Sequence, residues 1–221
     1  MNVSIIGAGR TRNGIGEYIG KYFHKHGGKV TSVLGTTEKT SLQASLALRR
    51  YGIEARPYTD FDQMVRAEKP DAVVIASPSS THYEYLLKCI DSELHIFCEK
   101  PFIWNRHMDL RKRVEEIFEK AYEKKITIAM NSQWPFSIDA YEAICGKFMI
   151  QKLNTFFIRM SPPFPGREMI SESVPHALSL LYCLLGVGEI EDLSFESDGE
   201  REVNIKFSYL FETQACDVSI R

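Results

Sequence analysis

Four glycines crowd the residues just after the first apolar run: in "GAGRTRNGIG", Gly7, Gly9, Gly14 and Gly16 fall within ten positions. Glycines between a strand and a helix do a specific job for a dinucleotide. One permits a tight turn, a second lets bare backbone approach the pyrophosphate, and a third lets helix and strand pack closely. Gly7 and Gly9 suit the first two roles; the third arrives late, at Gly14 or Gly16, with Arg10, Thr11, Arg12 and Asn13 lengthening the loop. A longer loop still aims the free N–H groups of the helix N-terminus at a phosphate. Roughly 20 residues further on, NAD-binding chains place a carboxylate for the ribose 2′-hydroxyl. Here the segment reads "LGTTEKT": Gly35 stands in place of the acid, Thr36, Thr37 and Lys39 offer hydroxyls and a positive charge, and Arg10 adds a guanidinium. That set points to the 2′-phosphate of NADP rather than to NAD. Glycine and threonine are also ordinary loop residues, so plain turn structure stays open beside this reading.

To meet a ligand these residues must sit at strand ends, and the apolar pattern supplies the strands. "VSII" leads into Ile15, Tyr18, Ile19, Tyr22 and Phe23 at helical spacing, and Gly27 and Gly28 stop that helix. A strand over Val30 to Leu34 follows, then a helix over Leu42 to Tyr51, a short strand near Ala55 and a helix carrying Phe61, Met64 and Val65. The strand "DAVVIAS", the helix "HYEYLLKCI", the strand "LHIFC", a helix from His107 to Lys124 and the strand "ITIAM" complete the alternation. Strands alternating with helices imply an α/β fold, a doubly wound parallel Rossmann sheet over residues 1–130. Residues 131–221 read as a small α+β domain: "KLNTFFIRM", "EIEDLSFES", "EVNIKFSYLF" and "ACDVSI" form a mostly antiparallel sheet, with one helix from Pro175 to Leu185. The last strand is expected to leave an open edge, which favours a homo-oligomer built through this second sheet.

Composition excludes several partners. In 221 residues, 27 Lys and Arg face 29 Asp and Glu, so neither a nucleic acid nor an anionic membrane surface is favoured, and a small-molecule substrate is the expectation. The five cysteines are scattered and form no C-x-x-C pair, which argues against a disulfide framework or a zinc knuckle and for reduced thiols in a cytoplasmic protein. No apolar stretch is long enough to span a bilayer. His24 and His26 lie two apart on a helix and cannot share one face, so no metal is expected.

The stretch "VVIASPSSTHYEYLLKCIDSELHIFCEKPF" resembles the Gfo/Idh/MocA family of oxidoreductases, named for glucose-fructose oxidoreductase and inositol dehydrogenase. Ser77, Pro78, Ser79 and His82 match the family's turn after the fourth strand, and Glu99, Lys100 and Pro101 match the Glu-Lys-Pro after its fifth. The resemblance is good over about the first 135 residues and loose beyond. It implies that Ser77, Pro78, His82 and Glu99 help hold the cofactor. It also implies that Lys100 lies between nicotinamide and substrate, where a partly desolvated ammonium exchanges a proton with a substrate hydroxyl. The family's second domain carries a D-x-x-x-H helix, matched in "SESVPHALSLLYCLLG" by Glu172 and His176, with Ser179 where a further Asp is frequent. Pro175 suggests that the helix starts there and leaves Glu172 on the approach loop. A helix-start histidine bonded to backbone is the other reading of His176, as a surface lysine is of Lys100.

Asn131 and Trp134 fall where the family lines its substrate pocket, and Arg167 is either an anion contact or an exposed loop residue. The expectation is therefore an NADP-dependent dehydrogenase or reductase of a sugar, polyol or related compound, with Lys100, His176 and Glu172 at the chemistry. A catalytically inactive nucleotide-binding sensor of the same fold is the alternative, and a reductase of an imine or tetrapyrrole-like substrate a third.

Overall fold

Val3 and Ile5 point to one face of the first strand and Ser4 and Ile6 to the other, and all four are buried, as in a sheet covered on both sides. A computed structural model describes residues 1–9, 15–105, 107–147, 153–166, 168–199 and 201–221. Arg10, Thr11, Gly14 and Arg167, singled out above, lie outside the described residues. The chain divides into two compact units, Met1–Asn131 and Ser132–Arg221.

In the first unit β1 (Asn2–Ile6), β2 (Lys29–Leu34), β3 (Arg56–Tyr58), β4 (Ala72–Ile75), β5 (His95–Cys98) and β6 (Ile128–Met130) form one sheet in the order β3-β2-β1-β4-β5-β6. Every pairing in it is parallel. On one face Val3, Ile5, Val33 and Val74 pack against α1 (Gly16–Lys25) and α2 (Glu38–Arg49) through Ile19, Ala44 and Leu48. On the other, Ile6, Val73 and Ile75 meet Met64 of α3 (Phe61–Glu68), Leu86 and Ile90 of α4 (His82–Asp91) and Ile117 of α5 (Leu110–Glu123).

Side-chain caps set the helix starts that apolar periodicity misplaced. Thr37 accepts from the Thr40 N–H, so α2 begins at Glu38, four residues before the expected Leu42. Asp109 accepts from the Lys112 N–H, so α5 begins three residues after His107.

The second unit opens with a 3₁₀ turn over Trp134–Ser137 and the short helix α6 (Ile138–Cys145), neither of them expected. Then come β7 (Thr155–Ile158), α7 (Glu168–Leu185), β8 (Glu189–Ser197), β9 (Val203–Phe211) and β10 (Gln214–Ile220). The sheet runs β7-β10-β9-β8, antiparallel except for the parallel β7 and β10 pair.

Two expectations are corrected here. The α7 helix runs through Pro175, which places Glu172 on the helix rather than on a loop. Ala177, Leu181 and Leu185 after the proline are buried, and Met169, Ile170 and Val174 before it pack on the same core. Each such apolar side chain contributes on the order of 1.5–3 kcal/mol, which together outweighs the roughly 3 kcal/mol cost of a helix-interior proline. The final strand is not an edge: β10 lies between β7 and β9. The edges are β7 and β8, and β8 is exposed along its whole length. Among the described residues no helix is long and apolar enough to cross a membrane.

Candidate functional site

Five strands of the parallel sheet deliver residues of interest to its carboxyl edge. Gly7 follows β1, Gly35 follows β2, Ser77 lies just past β4, Glu99 and Lys100 follow β5, and Asn131 follows β6. The order β3-β2-β1-β4 reverses direction between β1 and β4, the place where open α/β sheets bind ligands.

Gly7 adopts φ +82°, and its N–H donates to the Leu34 carbonyl at 3.1 Å. A Cβ there would come within 2.6 Å of the Cα and N of Ser77, so only glycine lets the β1 turn lie against the β4 turn. At Gly16, opening α1, a Cβ would meet the Gly7 carbonyl oxygen at 2.8 Å, which lets the helix close down on the turn. Gly9 has no such neighbour within 4 Å among the described residues, so there its backbone is open. Packed glycines on either side of an open one make a cradle that fits a pyrophosphate, with the α1 N-terminus beneath it.

Gly35 is equally constrained: a Cβ there would lie 2.5 Å from the Ser41 nitrogen. No carboxylate fits at that position. Thr36, Thr37 and Lys39 are exposed, although the Thr37 hydroxyl is already engaged, accepting from the Thr40 N–H at 3.2 Å in a capping box.

The Lys100 loop is held from several sides. The Glu99 N–H donates to the Ile75 carbonyl at 2.8 Å and the Asn131 N–H to the Cys98 carbonyl at 2.7 Å. The Asn131 amide also donates to the Glu99 carboxylate, which makes Asn131 a brace for this loop. Lys100 is half-buried and its bond to Pro101 is cis. His82 lies behind the loops: its ring is buried, with Nδ1 2.9 Å from the Pro101 carbonyl and Nε2 2.8 Å from the Ser77 carbonyl. Pro78 is exposed, and its carbonyl accepts from Thr81 Oγ1, which also pairs with the Ser77 hydroxyl at 2.7 Å.

In the second unit Glu172 and His176 lie one turn apart on α7, both half-buried. The Trp134 ring stacks on His176 with centroids 5.1 Å apart and planes inclined by 26°. The Ser179 hydroxyl donates to the backbone carbonyl of His176 at 2.8 Å, so it serves the helix and not the imidazole.

Sequence reasoning passed over three residues here. Thr81 completes the β4 turn, and the buried Cys98 thiol lies 3.6 Å from His82 Nδ1. Burial pushes that thiol well above its ordinary range, and it stays a weak donor, to the Glu99 carbonyl at 3.4 Å. Glu17, 2 % exposed, sits in the first turn of α1, directly after Gly16, and that place behind the glycine loop was its signal in the sequence. Among the described residues no group of three His, Cys, Asp or Glu is arranged to hold a metal ion.

The strand order and the glycine turn together define the Rossmann class of nucleotide-binding folds, here joined to a second α+β unit. The chain belongs to the Gfo/Idh/MocA family, whose model, described as an oxidoreductase family with an NAD-binding Rossmann fold, matches residues 1–131. It is 31 % identical over 101 residues to D-glucoside 3-dehydrogenase of Escherichia coli, an alignment covering 46 % of this chain and 27 % of that protein. It is 33 % identical over 67 residues to myo-inositol 2-dehydrogenase of Thermotoga maritima, covering 30 % of this chain and 20 % of that protein. The fold matches UDP-N-acetylglucosamine 3-dehydrogenase of Acidithiobacillus ferrooxidans with a TM-score of 0.73 at 17 % identity, over 99 % of this chain and 68 % of the other. The chain thus aligns with only about a quarter of these curated relatives.

Proposed function

We propose that this chain is an oxidoreductase that uses NADP and moves hydride between that cofactor and a hydroxyl or carbonyl carbon of a sugar, polyol or related compound. The observation that carries the reading is the carboxyl edge of the first unit. There, a glycine cradle closed by Gly7 and Gly16 and open at Gly9 shares one sheet edge with the Glu99-Lys100 loop. The names of the two curated relatives, a glucoside and an inositol dehydrogenase, support the substrate class.

The nicotinamide cofactor supplies the hydride acceptor or donor when bound; the residues of the chain bind, orient and move the proton. Gly7, Gly9 and Gly16 hold the pyrophosphate, with Thr11 and Gly14 in the same loop. Ser77 and Pro78 wall the cradle from the β4 side. The 2′-phosphate is assigned to Thr36, Thr37, Lys39 and Arg10: steric exclusion of an acid at Gly35 and the exposed Lys39 ammonium support NADP within a family described as NAD-binding. Glu38, exposed in the first turn of α2, complements the helix dipole.

Lys100 takes the proton when a hydroxyl is oxidised and returns it when a carbonyl is reduced. Glu99, braced by Asn131, orients the loop that carries it. His176 and Glu172, with Trp134, are assigned to the substrate hydroxyls, His176 sharing the proton transfer. Exposed side chains of the second sheet, such as Phe157 at 67 %, support a homo-oligomer built through that sheet.

A nucleotide-binding sensor without turnover is the second reading, favoured by one observation: Ser179 bonds to backbone and supplies no carboxylate to His176. Incubation with NADP and a panel of sugars and polyols, followed at the absorbance of the reduced nicotinamide, separates the two. Substrate-dependent reduction is expected of the enzyme. Tight NADP binding with no turnover on any substrate identifies the sensor, and absence of binding refutes both.

A further inference from the structure

Three oxygens of the turn after β4 lie in a row. The Ser77 hydroxyl is 2.7 Å from Thr81 Oγ1, and Thr81 Oγ1 is 2.8 Å from the Pro78 carbonyl oxygen. Each separation holds a hydrogen, because two oxygens that close without one would set lone pair against lone pair. The carbonyl has no hydrogen to give, so the Thr81 hydroxyl donates to it, beside the Thr81 N–H that the same carbonyl accepts at 2.9 Å. A hydroxyl carries one hydrogen. Thr81 therefore has none left for Ser77, and the Ser77 hydroxyl donates to Thr81. The row has a single direction, fixed by the carbonyl at its end, and the half-buried Ser77 hydroxyl presents only lone pairs to anything else.

That polarity selects what Ser77 meets. The bridging phosphates of a dinucleotide accept hydrogen bonds and offer none, so an acceptor-only hydroxyl is a poor partner for them; a ribose hydroxyl donates and is a good one. Strand order separates the two. The glycine turn follows β1, the set Thr36, Thr37 and Lys39 follows β2 on one side of it, and Ser77 follows β4 on the other side, next to β5 and Lys100. A dinucleotide laid across this switch point with its 2′-phosphate end at β2 and its pyrophosphate at β1 directs its nicotinamide half to the β4 side.

We propose that Thr81 is a positioning residue: by taking the Ser77 hydrogen it makes Ser77 a dedicated acceptor for a hydroxyl of the nicotinamide ribose. The ribose contact rests on the oxidoreductase reading; the direction of the row does not. Thr81 acts through Ser77 and touches neither cofactor nor substrate in this scheme.

Two ligands separate this role from a merely structural one: NADP, and 2′-phospho-ADP, which keeps the adenosine and its phosphates but lacks the nicotinamide ribose. Thr81→Val preserves the shape of the side chain and removes its hydroxyl, so the Ser77 hydrogen loses its fixed partner. One neutral hydrogen bond corresponds to an effect of about threefold to tenfold. Calorimetric titration of Thr81→Val is expected to show NADP weakened by that factor and 2′-phospho-ADP within about twofold of the parent, with Thr81→Ser restoring the NADP affinity. Ser77→Ala should weaken NADP at least as much, and adding Thr81→Val to it should change nothing further, because Thr81 acts only through Ser77. Equal weakening of the two ligands, additive losses in the double variant, or no loss at all would overturn the positioning role. The direction of the row is read without any ligand, by neutron diffraction from deuterium-exchanged crystals of the unmodified protein. One deuteron is expected between Thr81 Oγ1 and the Pro78 carbonyl and another on Ser77 Oγ facing Thr81. A Thr81 deuteron pointing at Ser77 overturns the proposal whether or not the variants fold. An unmodified protein that shows the expected row but does not bind NADP would refute the oxidoreductase reading and leave the direction of the row standing.

Discussion

Replacing Gly7 and Gly9 by alanine, one at a time, separates the two duties of the glycine turn. At position 7 the backbone has φ +82°, which costs a residue with a Cβ about 1–2 kcal/mol. The added carbon would also lie 2.6 Å from the Ser77 Cα and N and 2.8 Å from the Ala76 carbonyl carbon, all backbone atoms. Relieving that contact means moving the β4 turn, an overpacking strain of about 1–3 kcal/mol. Gly7→Ala should therefore lose about 2–5 kcal/mol of stability, which at a urea dependence of about 2 kcal/mol per molar moves the unfolding midpoint by about 1–2.5 M. At Gly9 none of the described residues lies within 4 Å of the added carbon, so Gly9→Ala should unfold within about 0.5 kcal/mol of the parent. Its methyl instead enters the space assigned to the pyrophosphate and should weaken NADP binding at least tenfold. The assays are urea unfolding followed by circular dichroism and titration with NADP. A Gly7→Ala protein as stable as its parent, or a Gly9→Ala protein with undiminished affinity, would refute this account of the turn.

Three further outcomes follow from other parts of the molecule. Lys39→Ala should weaken NADP binding by roughly 1.5–3 kcal/mol, the worth of a charge-assisted contact, while NAD binding changes little; comparing the two affinities by calorimetry checks this. Pro175→Ala restores the N–H missing from the interior of α7 and should raise stability by about 1–3 kcal/mol in the same urea assay, whereas destabilisation would argue against the continuous helix. Brief treatment of the native protein with iodoacetamide should modify the exposed Cys145 and Cys183 and spare Cys89, Cys98 and Cys216, as mass spectrometry of the peptides would report. Burial pushes Cys89, Cys98 and Cys216 upward, Cys98 aided by nearby Glu99 and Cys216 by Asp217, so the reactive thiolate is scarce at each.

Much of the first unit could be read directly from the order of residue types. The apolar runs at Val3, Val73 and Ile96 mark strands buried on both faces, and the Glu-Lys-Pro at position 99 marked the loop that the fold brings to the sheet edge. Side-chain caps were harder, because Thr37 and Asp109 look like loop residues until their oxygens are seen to accept from the helix. Pro175 misled because its local cost is visible in sequence, while the burial of Val174, Ala177 and Leu181 that offsets it depends on β9 and β10 lying nearby. Alternation likewise told which side chains of the final strand turn inward, namely Cys216, Val218 and Ile220, but not that β7 would pair on its far side. The roles of His82 and Trp134 are legible only in space. One lies between the carbonyls of Ser77 and Pro101, 24 residues apart in sequence, and the other stacks on a ring far along the chain.

The central claim, that Lys100 moves the proton in a nicotinamide-dependent hydride transfer, is tested most directly by measuring NADP binding and single-turnover reduction side by side in Lys100→Met. The account predicts affinity within about threefold of the parent and a rate lower by about 10²–10⁴. An unchanged rate would contradict it.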